Sequence, residues 1–206
     1  MPIINEIMDN LHFNLFVIMI ITYLMGSISF GIILTNIFKL GNLRNFGSGN
    51  PGATNVLRTG NKKIAFATLI LDSGKGFSAV FITNLFFNDL YTSMAALSVF
   101  IGHLFPIFHG FRGGKGVATF LGIFFAINYL VGMFICLAWL LVASKYHISS
   151  LAALLSSLAT TIILIIFKET YFIPLSILLT SLIWVKHYHN ILRLLNKTEP
   201  TFTLKK

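Results

Sequence analysis

Long apolar runs alternate along the chain with short polar stretches that are rich in glycine. A helix that crosses a membrane needs about 20 mostly apolar residues, and five runs are each of a length to form one. These runs cover residues 11–38, 64–87, 89–108, 148–167 and 170–187. The pattern predicts an all-α fold that crosses the membrane several times.

A sixth run, residues 117–144, is long enough for one span or for two short helices that fold back at Asn128 and Tyr129. Positive charge favours two helices, because lysine and arginine collect in loops on the cytoplasmic side. With seven segments and an external N-terminus, thirteen of the fifteen basic residues, including Lys205 and Lys206, are cytoplasmic. We therefore expect about seven transmembrane helices in a single domain, residues 1–206, with a cytoplasmic C-terminus. The fourth and fifth helices would be short and need not span fully.

Composition supports an integral membrane protein. Hydrophobic residues make up 56% of the 206 residues and charged residues only 10%, whereas soluble domains carry about 25% charged residues. A net charge of +9 would suggest a nucleic-acid partner in a soluble protein, but here the cations lie in short loops. They indicate membrane orientation or an anionic substrate, and we expect no nucleic acid. The single cysteine, Cys136, lies in an apolar run, where we expect a packing role.

The stretch NFGSGNPGATNVLRTG, residues 45–60, is the first of three polar clusters on the predicted cytoplasmic face. Backbone amides of a glycine-rich loop, hydroxyl and amide side chains and a fixed cation are the groups that bind phosphate. Close helix packing explains the glycines of GSISFG, residues 26–31, but not the polar side chains of this loop. We therefore favour phosphate binding, with these candidates: Gly47, Ser48, Gly49, Asn50, Gly52, Thr54, Asn55 and Arg58.

The second cluster is GHLFPIFHGFRGGKGVAT, residues 102–119, and the third is WVKHYHNILRLLNKTE, residues 184–199. In the second, Arg112 and Lys115 flank flexible backbone and serve either anion binding or orientation. In the third, His187, Asn190, Arg193 and Glu199 recur at helical spacing. Histidines at a membrane edge are more often interfacial than catalytic, so the sequence physics alone leaves the role of His187 open.

Several other functions are disfavoured. Glycine follows both Lys75 and Lys115, where the P-loop of nucleotide triphosphatases requires serine or threonine. The six histidines show no metal-ligand spacing with carboxylate or cysteine, and we expect neither a metal nor another cofactor. Asp72 and Lys75, three residues apart within a span, form either a structural pair or a functional site.

Three function classes remain open on these grounds: an enzyme that acts on phosphorylated substrates, a transporter of a phosphorylated metabolite, and a lipid-binding scaffold. A transporter predicts a polar path across the bilayer and internal symmetry. The sequence shows no repeat, and its polar clusters fall on one face. A scaffold without chemistry would not need Ser48, Asn50 and Asn55 among the loop glycines.

Four blocks, GSGNPGATNVLR, LDSGKG, GHLFPIFHGFRGGKGVAT and KHYHNILRLLNKTE, occur in this order over nearly the whole chain. Together they resemble the bacterial glycerol-3-phosphate acyltransferase PlsY family. The resemblance implies a multi-pass inner-membrane enzyme of phospholipid synthesis with its active site at the cytoplasmic face. Such an enzyme transfers a fatty acyl group from acyl phosphate to the 1-hydroxyl of glycerol 3-phosphate, giving lysophosphatidic acid. Its partners would be these two substrates, membrane lipid and, functionally, the enzyme that makes acyl phosphate.

The resemblance also implies residue roles. Ser48 and Arg58 would be essential, and His187 and Asn190 would be the active-site pair. Glu199 would be a structurally required acid. The second block would hold glycerol 3-phosphate through Gly113, Gly114, Lys115 and Gly116.

The chain departs from the family pattern at three positions, where Arg112 replaces a common lysine, Lys186 a usual arginine and Lys197 a usual glycine. The first two replacements keep the positive charge, so they affect only hydrogen-bond geometry. Lys197 puts in doubt the turn before Glu199.

Overall fold

The computed structural model describes the backbone of residues 2–201 and the side chains of residues 12–201; Lys205 and Lys206 lie outside the described residues. Within that range the chain forms ten α-helices and no strand. The helices are α1 (Pro2–Ser27), α2 (Phe30–Ile37), α3 (Ala53–Arg58), α4 (Lys62–Phe86), α5 (Asp89–Leu104), α6 (Val117–Ile127), α7 (Tyr129–Tyr146), α8 (Ser149–Ile166), α9 (Ile173–Lys186) and α10 (Tyr188–Leu195).

Five helical segments in the described part of the chain are long and apolar enough to cross a membrane. They are His12–Ile37, Lys62–Phe86, Asp89–His109, Tyr129–Tyr146 and Ser149–Ile166. A sixth is added if Thr170–Lys186 and Tyr188–Leu195, which meet at a bend of 65°, count as one broken span. The protein is therefore an all-helical, multi-pass integral membrane protein with five to six candidate spans.

The apolar run 117–144 forms two helices, as the charge distribution predicts. Helix α6 has only 11 residues and ends at Ile127, and α7 begins at Tyr129. The side-chain oxygen of Asn128 accepts a hydrogen bond from the Leu130 amide at 2.9 Å, which satisfies one of the free amides at the start of α7. Asn128 therefore both ends one helix and caps the next.

The first apolar run is also interrupted, because α1 ends at Ser27 and α2 begins at Phe30. The break frees the carbonyl of Ile28, which accepts a hydrogen bond of 2.6 Å from the Lys75 ammonium. Gly26 lies against the backbone of Val99, where a β-carbon would overlap. The glycine at this break therefore serves close helix packing, as expected for GSISFG.

The interior core lies between α5, α6 and α9. Its largest fully buried side chains include Phe100, Phe120, Phe124, Leu179 and Ile183. The rings of Phe120 and Phe124 are 4.7 Å apart, and those of Phe100 and Phe120 are 6.5 Å apart in an edge arrangement. Many large apolar side chains elsewhere face outward, which suits helices that are surrounded by lipid.

Candidate active site

One cavity of about 400 Å³ brings residues from all three polar clusters together. Twelve of the predicted site residues line it: Ser48, Asn50, Gly52, Thr54, Asn55, Arg58, Asp72, Lys115, Gly116, His187, Asn190 and Glu199. Six predicted residues do not line it: Gly47, Gly49, Lys75, Arg112, Gly113 and Gly114. The cavity lies where the C-terminal segment meets α3, α4 and the start of α6.

Asn55 holds the glycine-rich loop in shape. It is buried in α3, and its side-chain oxygen accepts from the Ser48 amide at 3.0 Å. Its side-chain nitrogen donates to the carbonyls of Leu43 at 3.1 Å and Phe46 at 2.9 Å. Both the oxygen and the nitrogen of the Asn55 side-chain amide are therefore hydrogen-bonded, and Asn55 positions Ser48 at the cavity wall.

Gly47 allows the loop to pass under Arg58. Its φ is +57°, a conformation that residues with a β-carbon rarely adopt. A β-carbon at this position would also overlap the side chain of Asn55 and lie 3.2 Å from Cδ of Arg58. Gly47 thus shapes the loop, whereas Ser48 and Arg58 line the cavity.

The glycines of the second cluster pack against the end of α5. The amide of Gly113 donates to the carbonyl of Leu104 at 3.2 Å, and the amide of Gly114 to that of His103 at 3.1 Å. A β-carbon at Gly114 would overlap the His103 ring. This packing directs the next residue, Lys115, into the cavity. Arg112 is exposed, and its carbonyl accepts a hydrogen bond from Arg44.

Lys115 meets the third cluster directly. Its ammonium donates to the side-chain oxygen of Asn190, and the Asn190 nitrogen donates to Glu199. Burial lowers the pKa of Lys115 to about 8; the Glu199 carboxylate opposes this shift, and the positive charges of Arg193 and Arg58 add to it. The charges of Arg58, Arg193 and Glu199 therefore all act on Lys115 within one cavity.

Glu199 ties the C-terminal segment to the cavity. Its side chain, only 5% exposed, accepts from Ser150 at 2.7 Å and from Arg193 Nε at 2.7 Å, as well as from Asn190. Burial raises the pKa of this carboxyl, but the three hydrogen bonds outweigh burial and hold the pKa below its usual value. Glu199 is therefore an ionised structural anchor.

His187 lies at the junction of α9 and α10 and is 3% exposed. Its Nδ1 is 2.8 Å from the carbonyl of Ile183. A carbonyl only accepts, so Nδ1 carries the proton, and in the neutral ring Nε2 is left as a proton acceptor. This geometry gives the cavity a general-base candidate.

Asp72 and Lys75 form an ion pair inside α4, with Nζ and Oδ1 2.9 Å apart. Asp72 lines the cavity, whereas the Lys75 ammonium is directed to Asp72 and to Ile28. The pair therefore stabilises the break between α1 and α2 and also presents one carboxylate to the cavity.

Sequence reasoning missed several cavity residues. Ser150 and Trp139 lie on predicted spans and carry no local signal. His103 stands in the GHLFP block, and Arg193 was noted for its helical spacing without a role at the site. The cavity also has apolar lining residues, which include Phe66, Leu69, Leu121, Cys136, Trp139 and Leu140. A cavity lined by both cations and apolar side chains suits a ligand with phosphate and hydrocarbon parts.

No group of three or more His, Cys, Asp or Glu side chains that could hold a metal occurs among the described residues. The positively charged side chains on the cavity wall are Arg58, Lys62, Lys115 and Arg193.

Comparison with known proteins gives consistent matches. Residues 16–197 match the family model of glycerol-3-phosphate acyltransferase. The chain is 48% identical over 181 residues to the glycerol-3-phosphate acyltransferase of Cereibacter sphaeroides, covering 88% of this chain and 86% of that protein. It is 47% identical over 184 residues to that of Dinoroseobacter shibae, covering 89% and 91%.

Two crystal structures of PlsY, an integral membrane glycerol 3-phosphate acyltransferase, are similar in fold. The glycerol 3-phosphate form superimposes with a TM-score of 0.88 at 36% identity, covering 92% of this chain and 96% of that one. The lysophosphatidic acid form gives 0.84 at 33% identity, with the same coverage.

Proposed function

Because the chain belongs to the glycerol-3-phosphate acyltransferase PlsY family, we propose that its cavity carries out acyl transfer with acyl phosphate as the donor. The protein is an acyltransferase that converts glycerol 3-phosphate to lysophosphatidic acid. Structures of a relative in forms with the substrate and the product support these two ligands. This assignment replaces the transporter and scaffold alternatives.

The cavity supports a donor that combines a phosphate with an acyl chain. Ser48, Arg58 and Lys115 lie on the same cavity as the apolar side chains of Leu121 and Trp139. This convergence is the observation on which the proposal rests. Acyl phosphate is a mixed anhydride and therefore already activated, so the enzyme can act mainly by holding two anions in line.

We propose direct transfer without an acyl-enzyme. The 1-oxygen of glycerol 3-phosphate attacks the acyl carbon, an ester bond forms, and the bond from that carbon to the phosphate oxygen breaks. Inorganic phosphate leaves with the electron pair. The hydroxyl proton passes to Nε2 of His187 or to the phosphate of the donor. Arg58 and Lys115 offset the negative charge of the two phosphates that are brought together.

Asn190 would act between these groups. Its oxygen accepts from Lys115 and its nitrogen donates to Glu199, so its amide orientation is fixed from both sides. We infer that Asn190 orients the Lys115 ammonium toward the bound phosphate. Ser48, Asn50, Thr54 and the loop amides would hold the second phosphate.

The proposed membrane arrangement has seven segments in a single domain, residues 1–206, of a bacterial inner-membrane protein. The N-terminus would be outside, and the cavity would open at the cytoplasmic face. The basic loops and the cavity share one end of the helices, whereas Asn128 and Glu169, joined by a hydrogen bond of 2.9 Å, lie in turns predicted to face outside. A thiol reagent that does not cross membranes should label Glu169→Cys in intact spheroplasts, and should label Lys197→Cys only after lysis. The reverse pattern would refute this orientation.

The decisive test is acyl transfer by the purified protein. Glycerol 3-phosphate is mixed with palmitoyl phosphate or, in parallel, with palmitoyl-CoA, and lysophosphatidate is measured. We expect product from palmitoyl phosphate alone, loss of activity in Ser48→Ala, and normal activity in Ser144→Ala, which changes an exposed serine of α7. Product from palmitoyl-CoA alone would refute the donor. An acyl group covalently attached to protein in a single turnover would refute direct transfer.

A further inference from the structure

A buried corner of the cavity is formed by one side chain from α4 and one from α5. Asp72 and His103 both line the cavity and are only 2% and 7% exposed. Nδ1 of His103 and Oδ1 of Asp72 are 3.8 Å apart, too far for a direct hydrogen bond. Neither residue is needed for the transfer step described above.

His103 has an unused polar atom in this corner. Its ring edge at Nε2 lies against Gly114. Its Nδ1 is buried and makes no hydrogen bond to any residue that the structure describes. Buried polar atoms without a partner are rare and costly, so an unpaired one on a residue that lines a cavity is a candidate to bind a ligand atom.

Asp72 determines which kind of ligand atom fits. Its charge is balanced by Lys75, whose ammonium lies 2.9 Å from Oδ1 and also donates to Ile28. A carboxylate repels phosphate, but it accepts hydrogen bonds at more than one lone pair. One oxygen that donates to Asp72 and accepts from Nδ1–H of His103 would bridge the 3.8 Å gap. A hydroxyl group meets both conditions.

We propose that Asp72 and His103 bind the 2-hydroxyl of glycerol 3-phosphate, an inference that rests on the proposed function. The 1-hydroxyl must face the acyl carbon, so the 2-hydroxyl is the one that needs another partner. The proposed phosphate-binding cation is also close by in the chain, because Lys115 directly follows Gly114, which packs on His103. The 2-hydroxyl and the phosphate are likewise carried on adjacent carbons of the substrate.

The proposal predicts strong selection for that hydroxyl. A site built to hydrogen-bond a substrate hydroxyl rejects the analogue that lacks it, because its own buried groups are then left unpaired. The analogue is 3-hydroxypropyl phosphate, which keeps the phosphate and the attacking hydroxyl. For the wild-type enzyme we expect kcat/KM to be about 100-fold or more higher with glycerol 3-phosphate.

Variants of His103 separate binding from structure. In His103→Leu the preference should fall below about tenfold, while kcat/KM for the analogue stays within about threefold of the wild type. His103→Gln keeps a side-chain donor and should restore part of the preference. The matched control is His109→Leu, a histidine outside this cavity, which should leave the preference unchanged.

Two results would overturn the proposal. A wild-type enzyme that uses both acceptors equally well has no such subsite, whatever the variants do. An equal loss on both acceptors in folded His103→Leu would show that His103 acts only on structure or on the transfer step. Failure of the wild type to acylate glycerol 3-phosphate from acyl phosphate would instead refute the proposed function, so the two failures are distinguishable.

Discussion

The ammonium of Lys115 leads to a specific prediction about pH. Burial, opposed by Glu199 and reinforced by Arg193 and Arg58, lowers its pKa to about 8. About nine in ten molecules therefore carry the charge at pH 7, but only about one in ten at pH 9. Since only the charged form attracts phosphate, kcat/KM should fall as the pH rises through 8.

The size of the effect follows from the same titration. From pH 8 to 9 kcat/KM should fall about fivefold, and beyond pH 9 it should approach tenfold for each pH unit. Bound phosphate favours the charged lysine, so kcat, which reports the complex, should fall at a higher pH than kcat/KM. Glycerol 3-phosphate does not contribute, because the second pKa of a phosphate monoester is near 6.

The assay measures initial rates from pH 6 to 10 with the purified wild type and with Lys115→Arg. Arginine stays charged throughout this range, so any activity that the variant retains should lose the decline near pH 8. Alkaline hydrolysis of acyl phosphate is measured without enzyme and subtracted. A wild-type profile that is flat to pH 10, or a decline at the same pH in an active Lys115→Arg variant, would refute the reasoning.

Three further predictions follow from the contacts around the cavity. Asn55→Asp should abolish transfer, because a carboxylate cannot donate to the carbonyls of Leu43 and Phe46. The control is Asn61→Asp, which changes the cap of α4. An active Asn55→Asp enzyme would contradict the role of Asn55 in holding the glycine-rich loop. Glu199→Gln should lower stability by about 2–3 kcal/mol, because it weakens hydrogen bonds to a charged group, and thermal unfolding in detergent measures this. Since the pKa of Glu199 is lowered in the folded protein, its contribution to stability is present above the usual pKa of 4.5 and is lost as the pH falls below it. If Glu199→Gln loses as much stability in acid as the wild type does, other groups cause that loss. Lys197→Gly should raise stability by about 1 kcal/mol, because Lys197 has a φ of +57°, which strains a residue with a β-carbon. The control is Lys145→Gly, within α7, which should lower stability. A Lys197→Gly variant that unfolds at a lower temperature than the wild type would contradict backbone strain at Lys197.

The turn at Lys197 shows how a departure from the family pattern is accommodated. The amides of Lys197 and Thr198 donate to the carbonyls of Leu194 at 3.1 Å and Arg193 at 2.8 Å, which is the usual hydrogen-bond pattern of a helix that ends in a left-handed residue. The turn before Glu199 therefore forms although lysine replaces glycine. Lysine at this position therefore leaves the geometry of the turn intact but introduces backbone strain.

Local rules predicted much of the fold. Hydropathy located the apolar segments, although five to six candidate spans occur among the described residues where about seven were expected. The charge distribution together with Asn128 predicted the division of residues 117–144. The break at Ile28 could not be predicted, because it depends on Lys75, which lies 47 residues away along the chain and supplies the hydrogen bond. Local patterns report which residues prefer to be buried, but not which distant side chain satisfies a freed carbonyl.

In the candidate site, too, local patterns predicted some features, whereas others depend on contacts between distant parts of the chain. Glycine and cation clusters predicted phosphate binding near Ser48, Arg58 and Lys115, because glycine-rich loops beside fixed cations are typical phosphate sites. The positions of Gly113 and Gly114 against His103 depend on the approach of two backbones, which no spacing in the sequence records. Ser150 is a further case, since it resembles many other small residues of the apolar helices until Glu199 contacts it.

The position of Glu199 has a consequence for how the protein is made. The hydrogen-bond chain from Lys115 through Asn190 to Glu199 joins residues that the ribosome adds at widely separated times. A nascent chain can insert its earlier spans and fold their interior, yet it cannot complete this hydrogen-bond chain until residue 199 has left the ribosome. A chain that stops before residue 199 would lack the carboxylate that holds Asn190 and Arg193, and we expect it to be inactive.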